Sequence, residues 1–380
     1  MISLREVMDL VSRPGILSFA IGLPAAELFP REALAEASRR VLQGDPSCLQ
    51  YGLPYRPLKT RIVELMALRG VQCSEEQIFL TSGAQQGMDL LSRLLLAPGG
   101  EVMTEWAIYD GILAAVRHQG PEILTVAADP QAGIDVDEVE SRLARGSRPA
   151  FLYLIPCGHN PLGATLGLEA RRRLALLARR YRVPLIEDDV YGLLYYGEPP
   201  PPAVRAFEED WVYYLGSFSK ILAPSLRAGW VVVPASIAAR LSPLKHAVDI
   251  DTPSLSHRLI AAYLETESLS THLEILRGEY RRRRDAMLSA LGEHLPSGIR
   301  WSRPTGGMFV WVELPEGLVD ASELLRTAVE TESVAFSPGV IFCPGEREKG
   351  RRGLRLTFTN HSPERIEEGV RRLGRVLRVL

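Results

Sequence analysis

The chain has 380 residues, 46% of them apolar, and sets 44 basic against 46 acidic side chains for a formal charge of −2. That size and composition can bury a substantial core divided between two domains, and the near-neutral balance offers no field for nucleic acid or an anionic membrane surface. No stretch approaches the ~20 apolar residues of a membrane span.

Met1 to Val11 carries Arg5, Glu6 and Asp9, where a secretory leader needs an unbroken apolar run. Cys48, Cys73, Cys157 and Cys343 are widely spaced with no CxxC pair, so neither a disulfide framework nor a zinc knuckle is expected, and a reducing cytoplasm follows. From residue 77 onward, seven short β-branched or apolar runs alternate with segments of helical period: 77–80, 101–104, 123–126, 151–155, 183–186, 212–215 and 230–233. This pattern predicts a mostly parallel sheet flanked by helices. Such sheets put their chemistry at the carboxyl ends of the strands. Those ends carry Ser82-Gly83, Glu105, the run from Pro156 to Asn160, Glu187-Asp188, and Ser217 to Lys220.

Residues 254–291 read as helical and charged, and include the connector to a second region. Strands are expected at 308–312 and 354–358. A closing amphipathic helix is expected over 363–377, capped by Ser362, with Ile366, Val370, Leu373 and Val376 on one face. The four prolines 199–202 read as an extended surface loop.

Four segments carry chemistry. Thr81 to Met88 follows a strand and opens a helix, so its free amides can hold a phosphate, although an ordinary strand-to-helix turn accounts for it equally. Neither GxGxxG nor GxxxxGK occurs, which removes the usual dinucleotide and Walker signatures. Asn160-Pro161-Leu162-Gly163 is turn chemistry placed after a buried strand. Glu187-Asp188-Asp189 sets three carboxylates at a strand end; without companion ligands at metal spacing, a carboxylate serving a cationic ring is the better reading, and no metal is expected. Finally, lysine is scarce: only Lys59, Lys220, Lys245 and Lys349 occur. One of the four stands in Gly216-Ser217-Phe218-Ser219-Lys220, where a primary amine can form a Schiff base and move a proton as arginine cannot.

Taken in order, Arg13 to Phe19, Gly22-Leu23-Pro24, Thr81 to Gln86, Asn160-Pro161, Ser217 to Lys220, Gly306 to Phe309 and Leu354-Arg355-Leu356 resemble the fold-type I pyridoxal-phosphate aminotransferases. The branch is that of the 2-aminoadipate and kynurenine aminotransferases and of the effector domains of MocR-type regulators. The resemblance implies a large cofactor domain over 45–272 and a smaller α+β domain built from 1–44 and 273–380. It implies that Lys220 forms the Schiff base with the cofactor aldehyde and shuttles the proton, that Asp188 keeps the pyridine nitrogen protonated, that Asn160 and Tyr191 bind the ring oxygen, and that Tyr109 stacks on the ring. Ser82, Gly83, Ala84, Gln85, Ser217, Ser219 and Arg227 would hold the phosphate, and Tyr51 would reach the phosphate of the neighbouring subunit of a homodimer. Arg355 would clamp the substrate α-carboxylate beside the backbone of Gly22, and Arg5 aligns with an arginine that approaches acidic side chains.

Departures from the family pattern touch the pocket wall. Ile21 precedes Gly22 where a second glycine is common, which should narrow the entrance. His159 stands before Asn160 as a pocket-shaping residue, Leu162 replaces a threonine, Ser225 replaces a glycine, and the loop after Tyr51 is shorter. The expected activity is ping-pong transfer of an amino group from an L-amino acid to a 2-oxo acid. The alternatives are another pyridoxal-phosphate reaction on an amino acid (racemase, β-lyase, decarboxylase or cyclase) or a non-catalytic effector module.

Overall fold

In the computed structural model the described residues are 4–318, 320–345 and 347–379, with Leu4, Arg5 and Met8 described by backbone alone. The seven predicted runs form one sheet. Its order across the sheet is Ile78–Thr81, Gly229–Val232, Val212–Ser217, Leu185–Asp188, Phe151–Leu154, Glu101–Glu105 and Glu122–Val126. Six strands run parallel, and Gly229–Val232 runs antiparallel to both of its neighbours. Helices cover the sheet, so Phe151–Leu154, Leu185–Asp188 and Val212–Ser217 are buried along their whole length and read as continuous apolar runs.

The reversed strand fixes the position of an arginine that precedes it. Because the strand enters at the edge where its neighbours end, Gly229 lies opposite both Thr81 and Ser217. Arg227, two residues earlier and in the left-handed backbone region at φ 47°, is thereby delivered to the same edge.

The helix after the first strand, Ala84–Leu95, buries Met88, Leu90 and Leu91 against the sheet, while Leu95 is half-buried. The helical stretch anticipated over 254–291 is two helices, Ser254–Thr266 and Leu269–His294. They part at Ser268, whose hydroxyl accepts the Thr271 amide at 3.3 Å and so starts the second helix. Helix Leu269–His294 packs along the closing helix Pro363–Val379, whose inward face is Ile366, Val370, Leu373 and Val376. Ser362 caps that last helix, its hydroxyl accepting the Arg365 amide at 3.5 Å.

A second, antiparallel sheet takes the order Arg300–Trp301, Phe309–Glu313, Gly353–Thr357, Ser337–Pro338. Its central pair lies within one residue of the expected strands, and Arg355 is in register with Trp311 and Ser337. Leu17–Ser18 pairs parallel with Val334–Ala335, tying the start of the chain to this region. Cys48, Cys73 and Cys157 carry free thiols.

Candidate active site

Where the carboxyl edge of the large sheet faces the small sheet, a cavity of about 300 Å³ opens, at the lower end of small-molecule sites. Lys220, Asp188, Asn160, Tyr191, Tyr109, Ser217, Ser219, Arg227, Ala84, Gln85, Arg355, Ile21 and Gly22 all line it, although the sequence separates the first and last of these by more than 300 positions. Ser82 and Gly83 lie just behind the wall: the Ser82 carbonyl accepts from Arg227 Nη2 at 2.9 Å. Tyr51 is elsewhere. It is 77% exposed and borders a separate hollow with Lys245 and Asp249. The side chain of Arg5 lies outside the described residues.

Asp188 ends its strand fully buried. Tyr153, on the adjacent strand, donates its hydroxyl to Oδ2 at 2.7 Å, and among the described residues the buried Oδ1 has no partner. Burial pushes this carboxyl up to about 6, against the Tyr153 bond and the Val190 amide, which favour the charged form. An acceptor left unsatisfied in a dry site is costly, so the position is built to receive an N–H or cationic donor from whatever occupies the cavity.

Lys220 follows the next strand, and its Nζ donates to the Gly22 carbonyl at 3.0 Å. Burial lowers its pKa to about 8, helped by the positive charges of Arg355 and Arg227 and opposed by Asp188. At neutral pH the amine is still mostly protonated, but burial raises its neutral, nucleophilic share to roughly a tenth, far above that of an ordinary lysine.

Arg355 crosses from the small sheet. Its Nη1 donates to Asn160 Oδ1 at 2.8 Å, and its Nη2 donates to the Ala20 carbonyl and, at 3.3 Å, to the Ser337 hydroxyl. The rings of Phe309 and Phe342 each lie 4.5 Å from the guanidinium carbon. Among the described residues Nε has no partner, and burial lowers the group to about 10. A planar fork held between two rings with a free N–H is suited to a carboxylate. Tyr191 hydrogen-bonds to the Asn160 side chain, and burial raises its pKa. Tyr109 is pushed up to about 12 by burial.

Glycine is required at two places on this wall. A Cβ at Gly22 would sit 2.6 Å from the Phe309 ring. At Gly83, with φ 81°, a Cβ would come within 2.7 Å of Arg227 Nη2. Gly83 also opens the helix Ala84–Leu95, whose start has no side-chain cap. Free amides, the positive helix end, the Ser217 and Ser219 hydroxyls and Arg227 together form an anion cradle.

His159 is buried outside the cavity wall. Its Nδ1 accepts the Leu162 amide at 3.2 Å, and its Nε2 lies 2.8 Å from a Glu105 carboxylate oxygen, so the ring braces the turn that presents Asn160. Sequence reasoning missed Tyr153, Ser337, Phe342 and Asp110. Tyr153 left a faint signal, a hydroxyl in an otherwise apolar buried strand. Ser337, Phe342 and Asp110 left none, since their place beside Arg355 or Tyr109 is purely spatial.

A family model described as aminotransferase class I and II matches residues 15–373. The 2-aminoadipate transaminase of Thermus thermophilus is 42% identical over 385 residues, spanning 100% of this chain and 94% of that protein. Aromatic-amino-acid aminotransferase 1 of Thermococcus litoralis is 38% identical, spanning 99% and 91%. Among solved structures, the Thermus thermophilus alpha-aminoadipate aminotransferase complexed with N-(5'-phosphopyridoxyl)-L-leucine superposes with a TM-score of 0.89 at 41% identity, covering 100% and 95%.

Proposed function

This chain belongs to the class I and II aminotransferases and is a pyridoxal-phosphate-dependent aminotransferase; from that premise we propose how its side chains divide the work. The unsatisfied Asp188 Oδ1, the anion cradle at Gly83 and Arg227, and the Lys220 amine with its lowered pKa suit the three ends of that cofactor: ring nitrogen, phosphate and aldehyde. When bound, the cofactor supplies an aldehyde with which an amine condenses and a ring that accepts the electrons released at the substrate Cα.

The protein residues do the rest. Lys220 is the attachment point, and once free its amine takes and returns the proton at Cα. Asp188, held by Tyr153, keeps the ring nitrogen charged. Asn160 and Tyr191 orient the ring oxygen, and Tyr109 covers the ring face. Ser82, Gly83, Ala84, Gln85, Ser217, Ser219 and Arg227 hold the phosphate. Arg355 grips the α-carboxylate of the amino donor and then of the 2-oxo acceptor, with the Gly22 backbone close by, in a ping-pong exchange. The observation that carries the reading is the arrival of Arg355, from a separate sheet, at the cavity of Lys220 and Asp188.

We further propose that residues 45–272 act as the cofactor-binding body and that 1–44 with 273–380 form the smaller one, a division supported by the pairing of Leu17–Ser18 with Val334–Ala335. The working unit is a homodimer. Tyr51, Leu53 and Ile250 are 71–89% exposed around one hollow, an apolar surface that a second copy would cover, bringing Tyr51 to that copy's site. The free thiols of Cys48, Cys73 and Cys157 support a cytoplasmic location. Relatives named for 2-aminoadipate and for aromatic amino acids leave both donor classes open.

The test is a half-reaction screen: purified holoenzyme mixed with single amino acids while the cofactor's visible absorbance is followed. Loss of the band with release of stoichiometric oxo acid is expected for at least one amino acid. Racemised or decarboxylated product with the band intact would overturn the reading.

A further inference from the structure

The cavity lining includes the apolar side chains of Val7, Ile21, Ile341 and Phe342, the last with its ring 4.5 Å from the Arg355 guanidinium carbon. Set into it is one carboxylate with no role so far, Asp110. Among the described residues its side chain makes no hydrogen bond or ion pair with any other residue, and only its own backbone amide bonds to it. The surrounding backbone is firmly held. The neighbouring Gly111 carbonyl accepts from Gln85 Nε2 at 2.8 Å, and Gly111 has no room for a Cβ, which would lie 2.1 Å from the Tyr109 ring. A carboxylate presented by clamped backbone at a cavity wall is a preorganised acceptor.

The charges bearing on Lys220 are Arg355, Arg227 and Asp188, whereas Asp110 bears on Arg355 and Tyr109. Asp110 thus stands within electrostatic reach of Arg355 and Tyr109, with which it lines the cavity. Among the described residues Arg355 is not paired with it directly: Nη1 and Nη2 bond to Asn160, Ala20 and Ser337, and Nε has no partner.

We propose that Asp110 selects the amino donor: the preferred substrate is an L-amino acid with an aliphatic stem ending in a cation, the stem lying along the apolar wall and the cation meeting the Asp110 carboxylate. The selection rests on the aminotransferase reading above and adds the substrate class to it. A donor with an acidic side chain brings like charge into a partly desolvated space, which repels it. A neutral donor of the same length leaves the carboxylate without a partner.

The test measures kcat/KM in the half-reaction for L-lysine, L-ornithine, L-norleucine and L-2-aminoadipate. In the wild-type holoenzyme lysine or ornithine is expected to exceed norleucine about ten- to hundredfold, the span of one charge-assisted hydrogen bond, and 2-aminoadipate is expected to be slowest. Asp110→Asn should collapse the ratio of lysine to norleucine towards one, and Asp110→Lys should raise the ratio of 2-aminoadipate to lysine. Wild-type preference for norleucine or 2-aminoadipate, or an unchanged ratio in Asp110→Asn, overturns the assignment while leaving the aminotransferase intact. Failure of every amino acid to discharge the cofactor instead sinks the broader reading and this one with it. The wild-type ratios decide the matter even if a variant does not fold.

Discussion

Arg355 donates to Asn160 Oδ1 across 2.8 Å, and this single bond joins the small sheet to the loop that leaves the buried strand Phe151–Leu154. The guanidinium that would receive the substrate is thus also a strut of the cavity, so its removal has two consequences. Arg355→Ala should raise KM for both amino and oxo acids by about a hundredfold, because a buried bidentate partner is lost, and should leave Asn160 without its donor. Arg355→Lys should recover little of this, since an ammonium cannot reproduce the planar fork between Phe309 and Phe342. Steady-state kinetics on both half-reactions check it; unchanged Michaelis constants would mean that another residue holds the carboxylate.

Lys220→Ala is expected to bind cofactor without the visible band of a lysine-linked chromophore and to lose turnover to background. Absorbance and single-turnover assays read the two effects separately. Retention of full activity would remove Lys220 from the mechanism.

Asp188 makes the cofactor-free protein sensitive to pH. Its folded value of about 6 lies above the ordinary 3.8, so between these values the folded chain keeps a proton that the unfolded chain has released. The stability contributed by this group is fully present below 3.8 and falls as pH rises through 6, by roughly 3 kcal/mol in all. Denaturant melts of the cofactor-free protein should show Asp188→Asn gaining on wild type across that window. Adding cofactor should reverse the order at neutral pH, because only the wild type offers a carboxylate to the ring nitrogen.

Gly83→Ala combines a left-handed backbone with a Cβ set 2.7 Å from Arg227 Nη2. Gly99→Ala has a similar φ of 72° but nothing within 4 Å. Both should lose roughly 1–3 kcal/mol of stability through backbone strain. Only Gly83→Ala should also weaken cofactor binding, by tenfold or more in a titration, because the displaced guanidinium belongs to the anion cradle. Equal cofactor affinity in the two variants would count against a phosphate at this helix end.

Leu53→Asp and Ile250→Asp place charge on the exposed apolar surface around Tyr51. Sedimentation should show a shift to monomer, and activity should fall on dilution where wild type holds steady. A wild-type protein that sediments as an active monomer would sink the dimer proposal.

Local patterning carried the sheet. Each of the seven strands is a short, mostly apolar run, and for the central ones burial on both faces forces that composition whatever lies nearby. The residues at the strand ends were equally legible, because a parallel sheet collects its carboxyl ends on one edge, and Lys220 stood out by its rarity in an arginine-rich chain. Three things were decided only in three dimensions. The reversal of Gly229–Val232 brings Arg227 to that edge, and nothing in its composition distinguishes it from a parallel strand. Tyr153 becomes the partner of Asp188 through sheet order, which a linear pattern does not contain. Asp110 and Arg355 come to line one cavity although 245 positions separate them. Periodicity records which face of an element is dry; it holds no record of which other element dries it.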